Sequence, residues 1–150
     1  MAGDNDLINL YSGRILALAA EIPNLGRLEQ PAVTVKKRSL LCGSMVTVDL
    51  IVDDEKITKF GQDVKACALG QAAASVVGGA IIGASFSQVK QAHEDLEKLL
   101  KEDGPEPLTP FEELEILRPA KDYKNRHASI MLALDAVVEA IEIFQETRIA

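Results

Sequence analysis

Alternating hydrophobic and polar positions predict three strands in the first half of the chain. The clearest pattern runs through residues 45–52, where Val46, Val48, Leu50 and Val52 alternate with other side chains. Residues 32–41 and 57–64 are predicted to form the strands before and after it. The connections are short, and residues 53–56 form a polar turn. Short connections predict an antiparallel meander.

Helical periodicity predicts most of the remaining elements. A first helix is expected over residues 7–20, and later helices over residues 85–100, 111–117 and 125–143. The stripe of the first helix comprises Ile8, Tyr11, Ile15 and Leu18. The stretch from residue 66 to residue 87 has no charge, but it is rich in small residues and poor in large apolar ones. This composition predicts a buried helix packed closely on its neighbours, not a membrane span.

These elements predict a fold class and a domain count. The order of strands and helices indicates an α+β fold, with a three-stranded antiparallel sheet packed against about five helices. A chain of 150 residues is long enough for one substantial hydrophobic core. We therefore expect residues 1–150 to form a single domain.

Strand order places the chemically informative residues. Cys42 follows the first strand and Cys67 follows the third, so an antiparallel sheet puts both at the same end. Cys67 also begins the small-residue helix, whose N-terminus stabilises a thiolate, and Lys65 adds a positive charge. His127 lies on the inward face at the start of the last helix, where neutral imidazole is favoured. Alone, His127 would be interpreted as a buried core residue. Together with the two cysteine thiolates, His127 indicates a site for zinc or iron.

Composition excludes several functions. The net charge of −7 argues against nonspecific nucleic-acid binding, and two cysteines do not make a secreted disulfide framework. Residues 1–6 are polar and acidic, unlike a signal peptide, so we expect a cytoplasmic protein without membrane contact. The chain has no phosphate loop, HExxH, Gly-x-Ser-x-Gly or CxxC motif, and we expect no enzymatic activity. His93 lies on a helical stripe and is interpreted as a packed residue.

Three motifs, taken together and in order, resemble a known family. They are Cys42-Gly43-Ser44, Cys67 followed by the small-residue run 68–75, and His127-Ala128-Ser129. This set resembles the U-type iron–sulfur cluster assembly scaffolds, the IscU, SufU and NifU N-terminal family, over nearly the whole chain. The resemblance implies a SufE/NifU-like fold and a [2Fe–2S] cluster or iron held by the two cysteines and the histidine. It also implies a cysteine desulfurase as partner, with chaperones and apo iron–sulfur proteins as further partners.

The chain departs from the family at several positions. Ser44 stands where the family has aspartate, Ala128 stands where it has a third cysteine, and the segment before the histidine, residues 117–121, is altered. The chain thus resembles a divergent member that lacks the third cysteine. Three protein ligands leave a tetrahedral metal one short, and a [2Fe–2S] cluster usually takes four. A cluster would need an outside ligand, a second subunit or the Ser44 hydroxyl. We expect Ser44, Lys65 and Arg126 to surround the ligands.

Three functions fit these observations. The leading hypothesis is a scaffold or carrier for an iron–sulfur cluster or its iron, with Cys67 or Cys42 receiving sulfur. The alternative is a Cys₂His zinc protein that modulates a cysteine desulfurase, or that accepts its sulfur. The third is a relative without metal, whose cysteines are ordinary small buried residues. The sequence does not choose between the first two.

Overall fold

The computed structural model describes residues 11–40 and 43–149, and its elements follow the predicted order. Residues 7–10 of the predicted first helix lie outside the described residues. The elements in chain order are α1 Gly13–Ala20, β1 Val33–Arg38, β2 Met45–Asp53, β3 Lys56–Lys65, α2 Ala68–Ala80, α3 Phe86–Glu102, a 3₁₀ helix Glu112–Asp122 and α4 Lys124–Ile149.

The three strands form one antiparallel sheet in the order β1-β2-β3, as predicted. Between β2 and β3 the chain reverses through Asp54 and Glu55, whose φ angles of 53° and 59° are typical of a type I′ hairpin. At the opposite end, Arg38 pairs with Met45, and Met45 pairs with Lys65. The end of β1, the start of β2 and the end of β3 therefore lie together, as the topology argument predicted.

One face of the sheet packs against helices α2 and α4 to form the hydrophobic core. The sheet contributes alternate apolar side chains: Val33, Val35, Val46, Val48, Leu50, Ile57 and Phe60. Within residues 69–78 of α2, every residue except the half-buried Gln71 is buried, which confirms the prediction of a closely packed helix of small residues. Within residues 11–40 and 43–149, no helix is long and apolar enough to cross a membrane.

A buried carboxylate forms hydrogen bonds that hold the segment after α1 against the face of the sheet opposite to the hydrophobic core. Asp49 on β2 is fully buried and accepts hydrogen bonds from Arg27 Nε at 2.6 Å, the Leu28 N–H at 3.0 Å and Thr34 Oγ1 at 2.5 Å. Burial alone would raise the pKa of Asp49, but these donors outweigh it and hold the pKa below its usual value. The sequence analysis did not find this cluster.

An ion pair joins α3 to α4 on the surface. His93 Nε2 lies 2.6 Å from Asp135 Oδ1. This hydrogen bond raises the pKa of His93, and the charges of Asp135, Glu97 and Glu94 add to the effect. His93 is half-buried, in agreement with its interpretation as a packed residue.

Two details of the helical prediction were wrong. Tyr11 was assigned to the apolar stripe of the first helix, but it is exposed because α1 begins only at Gly13. The short helix predicted over residues 111–117 is a 3₁₀ helix that continues to Asp122, with Pro119 inside it. Pro119 has no backbone N–H and therefore donates no backbone hydrogen bond. The 3₁₀ turns before and after it form without that hydrogen bond.

Candidate metal centre

Cys67 caps the N-terminus of α2, two residues beyond the end of β3. Its φ and ψ angles of −67° and 170° are those of an N-cap residue, and its carbonyl accepts a 2.8 Å hydrogen bond from the Gln71 N–H. The thiol is free and half-buried. Cys67 therefore lies at the positive end of the helix dipole, where the sequence analysis placed it.

The sulfur of Cys67 lies beside two buried hydroxyls. Cys67 Sγ is 3.4 Å from Ser129 Oγ, and Ser129 Oγ is 3.0 Å from Ser44 Oγ. The two serines are only 2% and 3% exposed. Ser129 belongs to the first turns of α4, and Ser44 directly precedes β2. Three elements therefore converge at Cys67. Ser44 was among the site residues predicted from the sequence, whereas Ser129 was not, although it is the third residue of the histidine motif.

A glycine allows α2 to approach α4 at this point. A Cβ atom on Gly70 would lie 2.4 Å from Ser129 Oγ and 2.8 Å from the Cβ of Ala66. Real Cβ atoms essentially never approach so closely, so any larger residue would push the first turns of the two helices apart. Gly70 thus sets the spacing between Cys67 and the start of α4.

His127 is oriented by two backbone carbonyls from the preceding segment. Its Nε2 atom lies 3.0 Å from the Ala120 oxygen and 3.1 Å from the Lys121 oxygen. Carbonyl oxygens only accept hydrogen bonds, so Nε2 carries the proton. In the neutral ring, Nδ1 is then the nitrogen with the lone pair.

His127 is half-buried and forms part of the wall of a surface pocket of about 770 Å³. The other lining residues are Leu100, Lys101, Glu102, Asp103, Lys121, Asp122 and Lys124.

An ion-pair network holds the segment that orients His127. Arg118 donates to Glu115 Oε1 at 2.7 Å and to Asp103 Oδ1 at 2.7 Å, and Lys121 lies 3.3 Å from the same Asp103 oxygen. Hydrogen bonds from Arg118 and Lys121 lower the pKa of Asp103. Asp103 is the C-cap residue of α3, so these contacts tie the 3₁₀ helix to the end of α3 and hold in place the carbonyls that His127 contacts.

Comparison with known proteins identifies the family. Residues 10–149 match the model of the NifU-like N-terminal domain. The chain belongs to this family. A search of curated proteins gives no significant match.

Solved structures agree with this assignment. The crystal structure of a nitrogen-fixing NifU-like protein (N-terminal) from Brucella abortus is 40% identical, with a TM-score of 0.92, and the match covers 94% of this chain and 98% of that one. A putative iron–sulfur cluster assembly scaffold protein for the SUF system from Fervidobacterium islandicum AW-1 is 23% identical, with a TM-score of 0.78 over 89% of this chain and 98% of its own. The similarity to this second protein shows only that the two chains share a fold.

In this NifU-like domain, part of the predicted ligand set lies outside the described residues. Cys42 falls in the sequence between β1 and β2, and neither it nor Leu41 is among the described residues. Among the residues that are described, no three His, Cys, Asp or Glu side chains come close enough to hold a metal ion. Lys65 is exposed and Arg126 is half-buried. The ligand roles of Cys42, Cys67 and His127 therefore stay predictions, as do the supporting roles of Ser44, Lys65 and Arg126.

Proposed function

We propose that this NifU-like domain is a scaffold on which an iron–sulfur cluster is assembled and from which it is passed on. Cys42, Cys67 and His127 are the proposed protein ligands of the cluster or of its iron. The observation that carries the proposal is the convergence at Cys67. Its sulfur lies 3.4 Å from Ser129, which brings the first turns of α4, where His127 also lies, close to Cys67.

The two described ligands suit iron and sulfur chemistry. Cys67 is a thiol at a helix N-terminus, where the dipole stabilises the thiolate that binds metal. The Nε2–H group of His127 donates hydrogen bonds to backbone carbonyl oxygens, and a carbonyl oxygen is a common outer partner of a metal-binding histidine. We expect Nδ1 of His127 to be the atom that binds. Thiolate and imidazole together favour iron or zinc over magnesium or calcium.

Assembly needs sulfur, and we propose that a cysteine desulfurase supplies it. In this step a thiolate of the scaffold, at Cys67 or Cys42, attacks the outer sulfur of a persulfide on the desulfurase. A new S–S bond forms on the scaffold, and the desulfurase cysteine leaves as a thiolate. Cys67 is only half-buried, so part of its side chain is accessible to such a partner.

An incomplete ligand set favours release of the cargo. Two cysteines and one histidine leave one position of a [2Fe–2S] cluster without a protein ligand in this chain. Ala128 contributes no ligand at the position where the family resemblance places a third cysteine. A cluster held in this way exchanges its outside ligand readily, and a ligand from an apo iron–sulfur protein can take that place.

Cluster transfer tests this function. The purified protein would be incubated under nitrogen with ferrous iron, cysteine, a cysteine desulfurase and a dithiol that reduces the persulfide sulfur to sulfide, and then mixed with an apo [2Fe–2S] acceptor protein. We expect a visible absorbance band to form on the scaffold and then to appear on the acceptor. Cys67→Ala should form no transferable cluster, whereas His93→Ala, which changes the histidine paired with Asp135, should behave as the parent. A parent that binds only zinc, or that never passes a cluster on, would contradict the proposal.

A further inference from the structure

The hydroxyls of two buried serines lead to the sulfur of Cys67. We call the pair Ser44 and Ser129 the hydroxyl relay. Ser129 Oγ occupies the middle, 3.0 Å from Ser44 Oγ and 3.4 Å from Cys67 Sγ. We propose that this relay donates a hydrogen bond to the sulfur of Cys67 and thereby slows the release of metal bound there. The inference rests on the proposed function, because it takes Cys67 as a metal ligand.

The chemistry of the three groups fixes the direction of the hydrogen bonds once metal is bound. A metal-bound thiolate has no proton and only accepts, so the Ser129 hydroxyl must be the donor to Cys67 Sγ. Ser129 has a single hydroxyl proton. The bond between the two serines then requires Ser44 to donate to Ser129. Within the relay, Ser44 acts on the sulfur through Ser129, and Ser129 acts on it directly.

Burial and close packing hold the relay in place. Both hydroxyls lie in the interior, where hydrogen bonds are stronger than in water and neighbouring bonds reinforce each other. Ser129 has little room to move away, because a Cβ on Gly70 would already collide with its hydroxyl. The relay is thus set by backbone elements that converge from β2, α2 and α4. It does not depend on flexible surface side chains.

A hydrogen bond to a metal-bound sulfur has measurable consequences. It withdraws electron density from the thiolate, so the sulfur-to-metal charge-transfer band moves to higher energy. It also orients the ligand, and loss of such outer partners typically lowers metal affinity about 10–100-fold. Hydrogen bonds to sulfur likewise help to set the reduction potential of an iron–sulfur cluster. Ser129 and Ser44 are therefore positioning residues for Cys67.

Cobalt(II) alone, bound to the full chain, tests the relay. The parent would be compared with Ser129→Ala, Ser44→Ala, the double variant and Ser75→Ala. Ser75 is a matched control, because it is also a buried serine but its hydroxyl faces the Glu21 carbonyl. The readouts are the energy of the cobalt–thiolate charge-transfer band and the rate of cobalt release to excess chelator.

We expect Ser129→Ala to shift the band to lower energy and to release cobalt about 10-fold faster. Ser44→Ala should act in the same direction, more weakly. In the Ser129→Ala background, Ser44→Ala should have a smaller effect than in the parent, because the part of its effect that passes through Ser129 is already lost. Ser75→Ala should match the parent.

Three results would overturn the relay, and only the last of them would also overturn the proposed metal site. If the parent binds cobalt and neither serine variant changes the band or the release rate, the relay is wrong while the proposed metal site stands. Additive effects of the two serine variants, without a band shift, would likewise overturn it, because they indicate a general packing role. If the parent binds no cobalt through Cys67, the proposed function and the relay fail together.

Discussion

Replacing Gly70 by alanine tests the close contact between α2 and α4 that brings Cys67 to the start of α4. The added Cβ would lie 2.4 Å from Ser129 Oγ, 2.8 Å from the Ala66 Cβ and 3.1 Å from the Ser129 carbonyl oxygen. The Ala66 Cβ and the Ser129 carbonyl oxygen are fixed to the backbone and cannot rotate away, even if the Ser129 hydroxyl does. We therefore expect the first turn of α2 to move away from α4.

The expected magnitude follows from two opposing terms. Alanine favours a helix over glycine by about 1 kcal/mol, and overpacking of a close contact costs roughly 1–3 kcal/mol. Gly70→Ala should then lower the free energy of unfolding by up to about 2 kcal/mol. For a chain of this size, each kcal/mol corresponds to about 2–4 °C in Tm. The cobalt or cluster release rate should also rise, because Ser129 is displaced from Cys67.

Gly79→Ala is the matched control in the same helix. A Cβ there meets only the Pro23 Cγ at 3.8 Å, an ordinary van der Waals contact. We expect Gly79→Ala to raise the free energy of unfolding by roughly 0.5–1 kcal/mol through helix propensity. Thermal unfolding followed by circular dichroism measures both variants. If Gly70→Ala is as stable as Gly79→Ala, the reasoning about close approach is refuted.

Three further predictions follow from other contacts. His93→Gln should reduce stability most below about pH 6.5, because the pKa of His93 is raised on folding, and the difference from the parent should vanish as the pH rises through that raised pKa. Asp49→Ala should lower the free energy of unfolding by roughly 2–3 kcal/mol, measured in urea, because it removes the acceptor of several hydrogen bonds. The exposed Asp63→Ala serves as its control. Ala128→Cys should supply a further thiolate and slow the decay of a reconstituted cluster under a chelator.

Each of these has a contradicting result. A stability difference for His93→Gln that does not change with pH would show that the ion pair with Asp135 is not formed in solution. Equal unfolding curves for Asp49→Ala and Asp63→Ala would contradict the role of the buried carboxylate. Identical cluster decay in the parent and Ala128→Cys would mean that position 128 does not face the metal.

Patterns local in sequence predicted the fold well. Period-two alternation located β2 at residues 45–52, close to the observed Met45–Asp53, and small-residue composition located α2. Strand order alone placed Cys67 and the turn between β1 and β2 at the same end of the sheet. These features depend on neighbouring residues and on the geometry of short connections, which a single sequence records directly.

Contacts between distant segments could not be predicted in this way. Ser129 and Cys67 are separated by 62 positions, and Arg27 and Asp49 by 22. A serine in an apolar helix and an aspartate in a strand carry no periodic signal of their partner. The same holds for His127, because nothing in the sequence indicates that the carbonyls of Ala120 and Lys121 accept hydrogen bonds from its Nε2–H group. Such partners become visible only when the segments are packed together.

Metal analysis of the protein purified without air is the most direct test of the central claim. Iron, acid-labile sulfide and zinc would be measured per chain in the parent, Cys67→Ala, His127→Ala and His93→Ala. The account predicts iron together with sulfide in the parent and in His93→Ala, and much less of both in Cys67→Ala and His127→Ala. Zinc without sulfide in the parent, or equal iron and sulfide in all four proteins, would contradict it.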